Sequence, residues 1–129
     1  MGQRFLLDTN TIVHYFRHDI PEVGANWLLS IILVERCVSV LTKIEFLGWQ
    51  PPTIEEQEDA ERFMDSCKIL PLTNEIIDKT IEIRRTYKLK TPDAIIAATA
   101  LVHNLTLISR NDKDFQRIKK LKYTNPFNL

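Results

Sequence analysis

Pro92-Asp93-Ala94-Ile95-Ile96-Ala97-Ala98-Thr99-Ala100-Leu101-Val102, followed two residues later by Leu105-Thr106-Leu107-Ile108, is the stretch that decides the fold. Thr91-Pro92 predicts a helix start, because a proline in the first helical turn loses no hydrogen bond. The run behind it is apolar on nearly every face, so this helix must be buried, and its alanines let neighbours approach closely. Asn104 is suited to end the helix in the left-handed conformation, and 105–109 reads as a buried strand. A buried helix that feeds a buried strand predicts a mostly parallel sheet covered on both sides.

The rest of the chain repeats that pattern. Residues 4–7 (Arg4-Phe5-Leu6-Leu7) read as a short buried strand, and Thr11 to Arg17 as a helix with Asn10 as its N-cap. After Pro21 comes an apolar helix centred on Trp27-Leu28-Leu29, then a β-branched strand at 37–41 and a short helix from Thr42 to Trp49. Pro51-Pro52 breaks the chain. Thr53 and Glu56 form a capping-box start for a charged helix running to about Ser66. The strand Lys68-Ile69-Leu70-Pro71-Leu72 is demoted to an edge by its proline. Helix 75–87 puts Ile76, Ile77, Thr80, Ile83, Arg84 and Tyr87 on one core-facing stripe. Strands alternating with helices indicate right-handed βαβ units in a single three-layer α/β/α domain spanning 1–129, with no internal repeat or linker.

Composition fits this architecture and excludes others. At 129 residues and 44% hydrophobic content the chain can build one core without staples. Only 3 glycines and 26% charged residues argue against a disordered chain. No apolar stretch spans a bilayer, and Arg4, Asp8 and His14 interrupt any signal-peptide reading, so a cytoplasmic protein without membrane contact is expected. Cys37 and Cys67 lack metal or redox spacing and read as small apolar fillers in a reducing compartment. Lys and Arg balance Asp and Glu at 17 each, so no global field recruits nucleic acid. Local basic runs nevertheless flank acidic positions: Arg84, Arg85, Lys88 and Lys90 precede Asp93, and Arg110, Lys113, Arg117, Lys119 and Lys120 surround a late acidic cluster.

Each acid of interest stands where an apolar run meets a turn or helix start. Asp8 closes the first strand, Glu45 follows the second, Asp93 opens the buried helix, and Asn111, Asp112 and Asp114 follow the last strand. In an open parallel sheet these positions share the carboxyl edge, where such folds bind ligands. Carboxylates gathered there repel one another unless divalent cations lie between them. Single positions also have structural readings. Thr42-x-x-Glu45 is a capping box, Asp93 favours the positive end of a helix dipole, and Asp114 can serve a short helix containing Phe115 and Ile118. Asp8 resists such a reading, because an acid abutting a buried strand costs desolvation unless it is bonded. His14 and His18 are spaced for one helix face but lack a third ligand, so they read as solvated or packing residues, and His103 as a surface or capping residue. Trp27 and Trp49 read as packing, although Phe46, Leu47 and Trp49 beside Glu45 can instead form an exposed apolar groove for a partner.

Four blocks taken together, Asp8-Thr9-Asn10, Thr42-x-x-Glu45, Pro92-Asp93-Ala94-x-x-Ala97 and Leu107-Ile108-Ser109-Arg110-Asn111-x-x-Asp114-Phe115, resemble the PIN-domain family in order and spacing. The likeness covers essentially the whole chain and is strongest to the VapC-type and FitB-like toxins of bacterial toxin–antitoxin pairs. It implies that Asp8, Glu45 and Asp93 bind Mg²⁺ or Mn²⁺ and that Asn10 and Ser109 support them. Many members have an acid where this chain has Asn111, and others carry Asn there with an acid three residues later, here Asp114. Asn111 can ligate through its carbonyl with one charge fewer, and Asp112 is a supporting neighbour without a family counterpart. The resemblance implies a metal-dependent endoribonuclease acting on RNA, a cognate antitoxin and a homodimer. The alternatives are an RNA-processing nuclease without an antitoxin and a catalytically silent interaction module, which Asn111 favours.

Overall fold

The computed structural model describes residues 2–129. Its elements run β1 (Phe5–Leu7), α1 (Thr9–Arg17), α2 (Glu22–Ile32), β2 (Cys37–Ser39), α3 (Val40–Gly48), α4 (Ile54–Asp65), β3 (Lys68–Leu70), α5 (Asn74–Tyr87), α6 (Thr91–Val102), β4 (Thr106–Ile108), α7 (Asp112–Phe115) and β5 (Tyr123–Thr124). A 3₁₀ turn, Pro126–Asn128, follows. The sheet has the order β3-β2-β1-β4-β5 with every pair parallel. From β1 the chain builds outward to β2 and β3, then returns to add β4 on the other side of β1. The order therefore reverses between β1 and β4, and the carboxyl ends of those two strands open a crevice.

Successive side chains along a strand point to opposite faces, and this divides the core in two. Leu6, Cys37 and Leu107 pack with Ile76 and Ile83 of α5, with the alanines of α6 and with Phe115. Leu7, Val38 and Ile108 pack with Ile12, Leu28, Phe46 and Met64 of α1 to α4 on the other face. This is a three-layer α/β/α arrangement. No helix among the described residues is long and apolar enough to cross a membrane. Helix α6 is buried as expected, and Asn104 ends it at φ 53°.

Local differences from the sequence reading have local causes. The second strand stops at Ser39, whose hydroxyl accepts from the Leu41 amide at 3.1 Å and caps α3. Thr42 is thus a fully buried helical residue rather than a cap, and it forms no capping box with Glu45. Asp8, not Asn10, caps α1. The third strand is at the edge, as expected, but ends before Pro71. On α5, Ile77 and Arg84 lie at the surface, so the core stripe is narrower than the apolar pattern implies.

One approach in the fold requires glycine. The backbone of Gly24 on α2 meets the 3₁₀ turn so closely that an added Cβ would lie 1.7 Å from the Pro126 carbonyl oxygen.

Candidate active site

Asp8 leaves β1 directly into α1, so its carboxylate is fixed by two elements at once. Oδ1 accepts from the Thr9 amide at 2.7 Å and Oδ2 from the Ser109 hydroxyl at 2.8 Å. The residue is only 6% exposed. Burial raises its pKa from 3.8 to about 6, the charges of Asp93 and Glu45 add to the rise, and the two hydrogen bonds oppose it. Ser109 follows β4 and is fully buried. Its oxygen also receives the Asn10 amide nitrogen at 3.2 Å and the Asn111 backbone N–H at 3.1 Å. Ser109 therefore holds Asp8 directly, and Asn10 reaches that acid through Ser109.

Glu45 stands on the exposed side of α3. Its Oε1 accepts from the Thr9 hydroxyl at 2.7 Å, and that hydroxyl lies 3.1 Å from the buried Thr42 hydroxyl. Asp93 is in the first turn of α6, which runs against the strands and so begins at their carboxyl edge. Partial burial raises its pKa, Asp114 and Glu45 raise it further, and Lys90 opposes them. Asp8, Thr9, Asn10, Val13, His14, Arg17, Glu45 and Asp93 line one open cleft of about 380 Å³.

The late cluster divides between two duties. Asp114 faces Asp93 electrostatically, and its Oδ2 accepts from Asn111 Nδ2 at 3.0 Å. Asp112 is engaged by the C-terminal segment instead, accepting from Tyr123 Oη at 2.6 Å, Asn125 Nδ2 at 3.1 Å and Asn128 Nδ2 at 3.2 Å. These donors hold its carboxyl below the usual range, with Tyr123 the largest influence.

The sequence alone assigned no role at the cleft to Thr9, Thr42, His14 or Arg17. The signal was present for His14 and Arg17, which follow Asn10 at i+4 and i+7 and so share its helix face. Thr9 and Thr42 are separated by 33 residues, and nothing local announces their contact. His14 and His18 do not pair: His14 Nδ1 lies 2.8 Å from Asp19 Oδ1, while His18 ends α1 at φ 58°.

The carboxylates line the cleft without closing on a point. Among the described residues no three His, Cys, Asp or Glu side chains form a preassembled ligand set. Hard oxygen donors spread over an open wall suit a small divalent cation that keeps several waters and takes only one or two protein carboxylates.

The PIN domain model matches residues 5–121, a span that contains every one of these acids. The chain belongs to the PIN domain family. This PIN domain is 27% identical to ribonuclease VapC1 of Methanocaldococcus jannaschii over 123 residues, which are 91% of this chain and 82% of that protein. It is similar in structure to a toxin–antitoxin complex from Klebsiella pneumoniae, with TM-score 0.73, 31% identity, and 94% and 96% of the two chains covered. VapBC-1 from nontypeable Haemophilus influenzae matches at TM-score 0.77 and 26% identity, covering 96% of this PIN domain and 98% of that chain.

Proposed function

We propose that this PIN domain is a divalent-metal-dependent endoribonuclease and the toxin of a type II toxin–antitoxin pair, acting in the cytoplasm. The observation that carries this reading is that Asp8, Glu45 and Asp93 line one cleft at the carboxyl edge of the sheet, with Asp114 against Asp93. Asp8, Glu45, Asp93 and Asp114 are the residues that would hold Mg²⁺ or Mn²⁺, with Asn111 contributing its carbonyl oxygen. When bound, the cation supplies a water of lowered pKa and neutralises phosphate charge during in-line attack. The chain's own residues aim the ligands: the Thr9 amide and Ser109 fix Asp8, and the Thr9 hydroxyl fixes Glu45. Relatives named as a ribonuclease and as a toxin–antitoxin complex support the same reading.

A groove beside the cleft favours the antitoxin part of the proposal. Val13, Phe16, Phe46, Trp49 and Ala60, with Arg17, His18, Glu56 and Asp59, line a cavity of about 380 Å³ between α1, α3 and α4. Phe46 is a buried floor, whereas Trp49 is 50% exposed and Phe16 37%. Val13 and Arg17 border both the groove and the acidic cleft. An inhibitor segment with apolar side chains in the groove and a cationic one at the cleft would cover the carboxylates and displace the metal. The homodimer is part of the same proposal, to be checked by sedimentation.

The test is cleavage of total RNA by the purified protein with Mg²⁺, Mn²⁺ or EDTA. We expect cleavage with either cation and none with EDTA, and loss of cleavage in Asp8→Asn and Asp93→Asn with the fold intact. Cleavage retained by Asp93→Asn, after contaminating nuclease is excluded, would reject the assignment.

A further inference from the structure

We infer that Arg110, braced on the ring of Phe127, acts with Arg17 to grip the phosphate backbone of single-stranded RNA as it passes the acidic cleft; this deepens the ribonuclease reading and rests on it. The guanidinium carbon of Arg110 stands 4.0 Å over the Phe127 ring centroid. The same ring meets His14 edge to face, with centroids 5.1 Å apart and planes at 77°. His14 is held in turn by Asp19 and lines the cleft together with Arg17. The Arg110 backbone is fixed as well, its N–H donating to Asn10 Oδ1 at 3.3 Å. Arg110 therefore follows directly on Ser109, the residue that holds Asp8, and is tied through Phe127 and His14 to the wall of the cleft.

Both arginines are exposed, and neither forms an ion pair with a carboxylate among the described residues. A guanidinium near several acids ordinarily relaxes into such a pair. Arg110 instead places one face on an aromatic ring, which leaves its in-plane N–H groups free and restricts its rotamers in advance. That fork matches phosphate oxygens, and the prior restriction lowers the entropic cost of contact. The need for such a device follows from the charges. The chain has zero formal net charge, and its cleft is lined with carboxylates that repel a polyanion, so attraction has to be local. The outer face of a ring-mounted guanidinium also stacks an unpaired base, which favours a single strand over a duplex.

The test is binding of a short fluorescein-labelled single-stranded RNA of mixed sequence to the full chain in EDTA, followed by anisotropy across a salt series. We expect Arg110→Ala to raise Kd about tenfold and to reduce the slope of log Kd against log salt by about 0.7, the loss of one phosphate contact. Adding Arg17→Ala should roughly double the slope change. Arg110→Lys, which keeps the charge but not the planar fork, should retain the slope and recover only part of the affinity. Phe127→Leu should weaken binding severalfold at unchanged slope, and a duplex of the same sequence should bind less tightly than the single strand. Wild-type affinity and slope in Arg110→Ala, in a protein that melts as wild type, would overturn the inference. Wild-type affinity in Phe127→Leu would remove the bracing role, and equal binding of the duplex would remove the preference for a single strand. A wild type that cuts RNA while Arg110→Ala binds as tightly leaves the ribonuclease reading and removes the clamp. One that binds RNA through Arg110 yet never cuts does the reverse.

Discussion

Asp8 accepts two hydrogen bonds and still has a pKa of about 6, because burial outweighs them. The displacement from 3.8 amounts to roughly 3 kcal/mol of native-state destabilisation at neutral pH in the metal-free protein. The sign follows from the folded pKa lying above the unfolded one. The stability this group contributes is fully present below about pH 4 and is lost as pH rises through 6. Asp8→Asn should therefore raise the metal-free melting temperature at pH 7, with the advantage fading as pH falls from 6 to 4. The gain is partly offset, because asparagine keeps one acceptor oxygen for two donors, the Thr9 amide and the Ser109 hydroxyl, so we expect a net effect of about 1 kcal/mol at pH 7, followed by denaturant titration across the pH range. Mg²⁺ should stabilise wild type more than this variant, and an Asn protein that melts lower than wild type at every pH would contradict the account. Asp112 and Asp114 make a second contrast. Asp114→Asn should cut RNA cleavage at little cost in stability. Asp112→Ala, which removes the acceptor shared by Tyr123, Asn125 and Asn128 but leaves Tyr123 Oη the Ser109 carbonyl and Asn125 Nδ2 the Arg110 carbonyl, should lower stability by about 1 kcal/mol while Asp112→Asn reduces cleavage less than Asp114→Asn does.

Among the elements, α2 and the C-terminal turn depend on each other through Gly24. A methyl group there overlaps the Pro126 carbonyl, so Gly24→Ala should destabilise the protein by more than about 2 kcal/mol despite alanine's better helix propensity, as read by chemical denaturation. Nothing in the sequence announced this contact. The two-residue strand β5 and the turn after it carry no periodicity, and their partners lie on β4, on distant α2 and at Asp112. By contrast, α6 and β4 were legible, because an all-apolar run admits one environment. The boundary between β2 and α3 was not. Val40 and Leu41 continue the β-branched, apolar pattern of the strand, and only the Ser39 cap turns the chain into a helix. Asp8 was readable from its place at a strand end and Asp93 from its place at the start of the buried helix, since a parallel sheet collects both on one edge, whereas Glu45 lies inside α3 and was readable only as part of a motif. The threonines that aim Glu45 were not, because a hydroxyl contact across two helices leaves no trace in spacing.

For the molecule as a whole, topology supplies the cleft and α1 supplies its border with the groove. Any inhibitor that seats in the groove and reaches the carboxylates depends on local charge complementarity, since the protein carries no net charge. Inhibition should weaken as salt rises and when a cationic residue of the inhibitor is replaced, measured as recovery of RNA cleavage, and an inhibitor indifferent to both would have to act elsewhere. Val13 and Arg17 border both depressions, so an inhibitor that spans the two is coupled to RNA at the cleft. Such coupling is reciprocal. By whatever factor an inhibitor lowers the affinity for RNA, RNA lowers the affinity for the inhibitor, and the two titrations in EDTA should return the same number. An inhibitor on this surface is then also a gauge of its surroundings, held on a smaller share of the molecules where accessible RNA is plentiful and on a larger share where it is scarce.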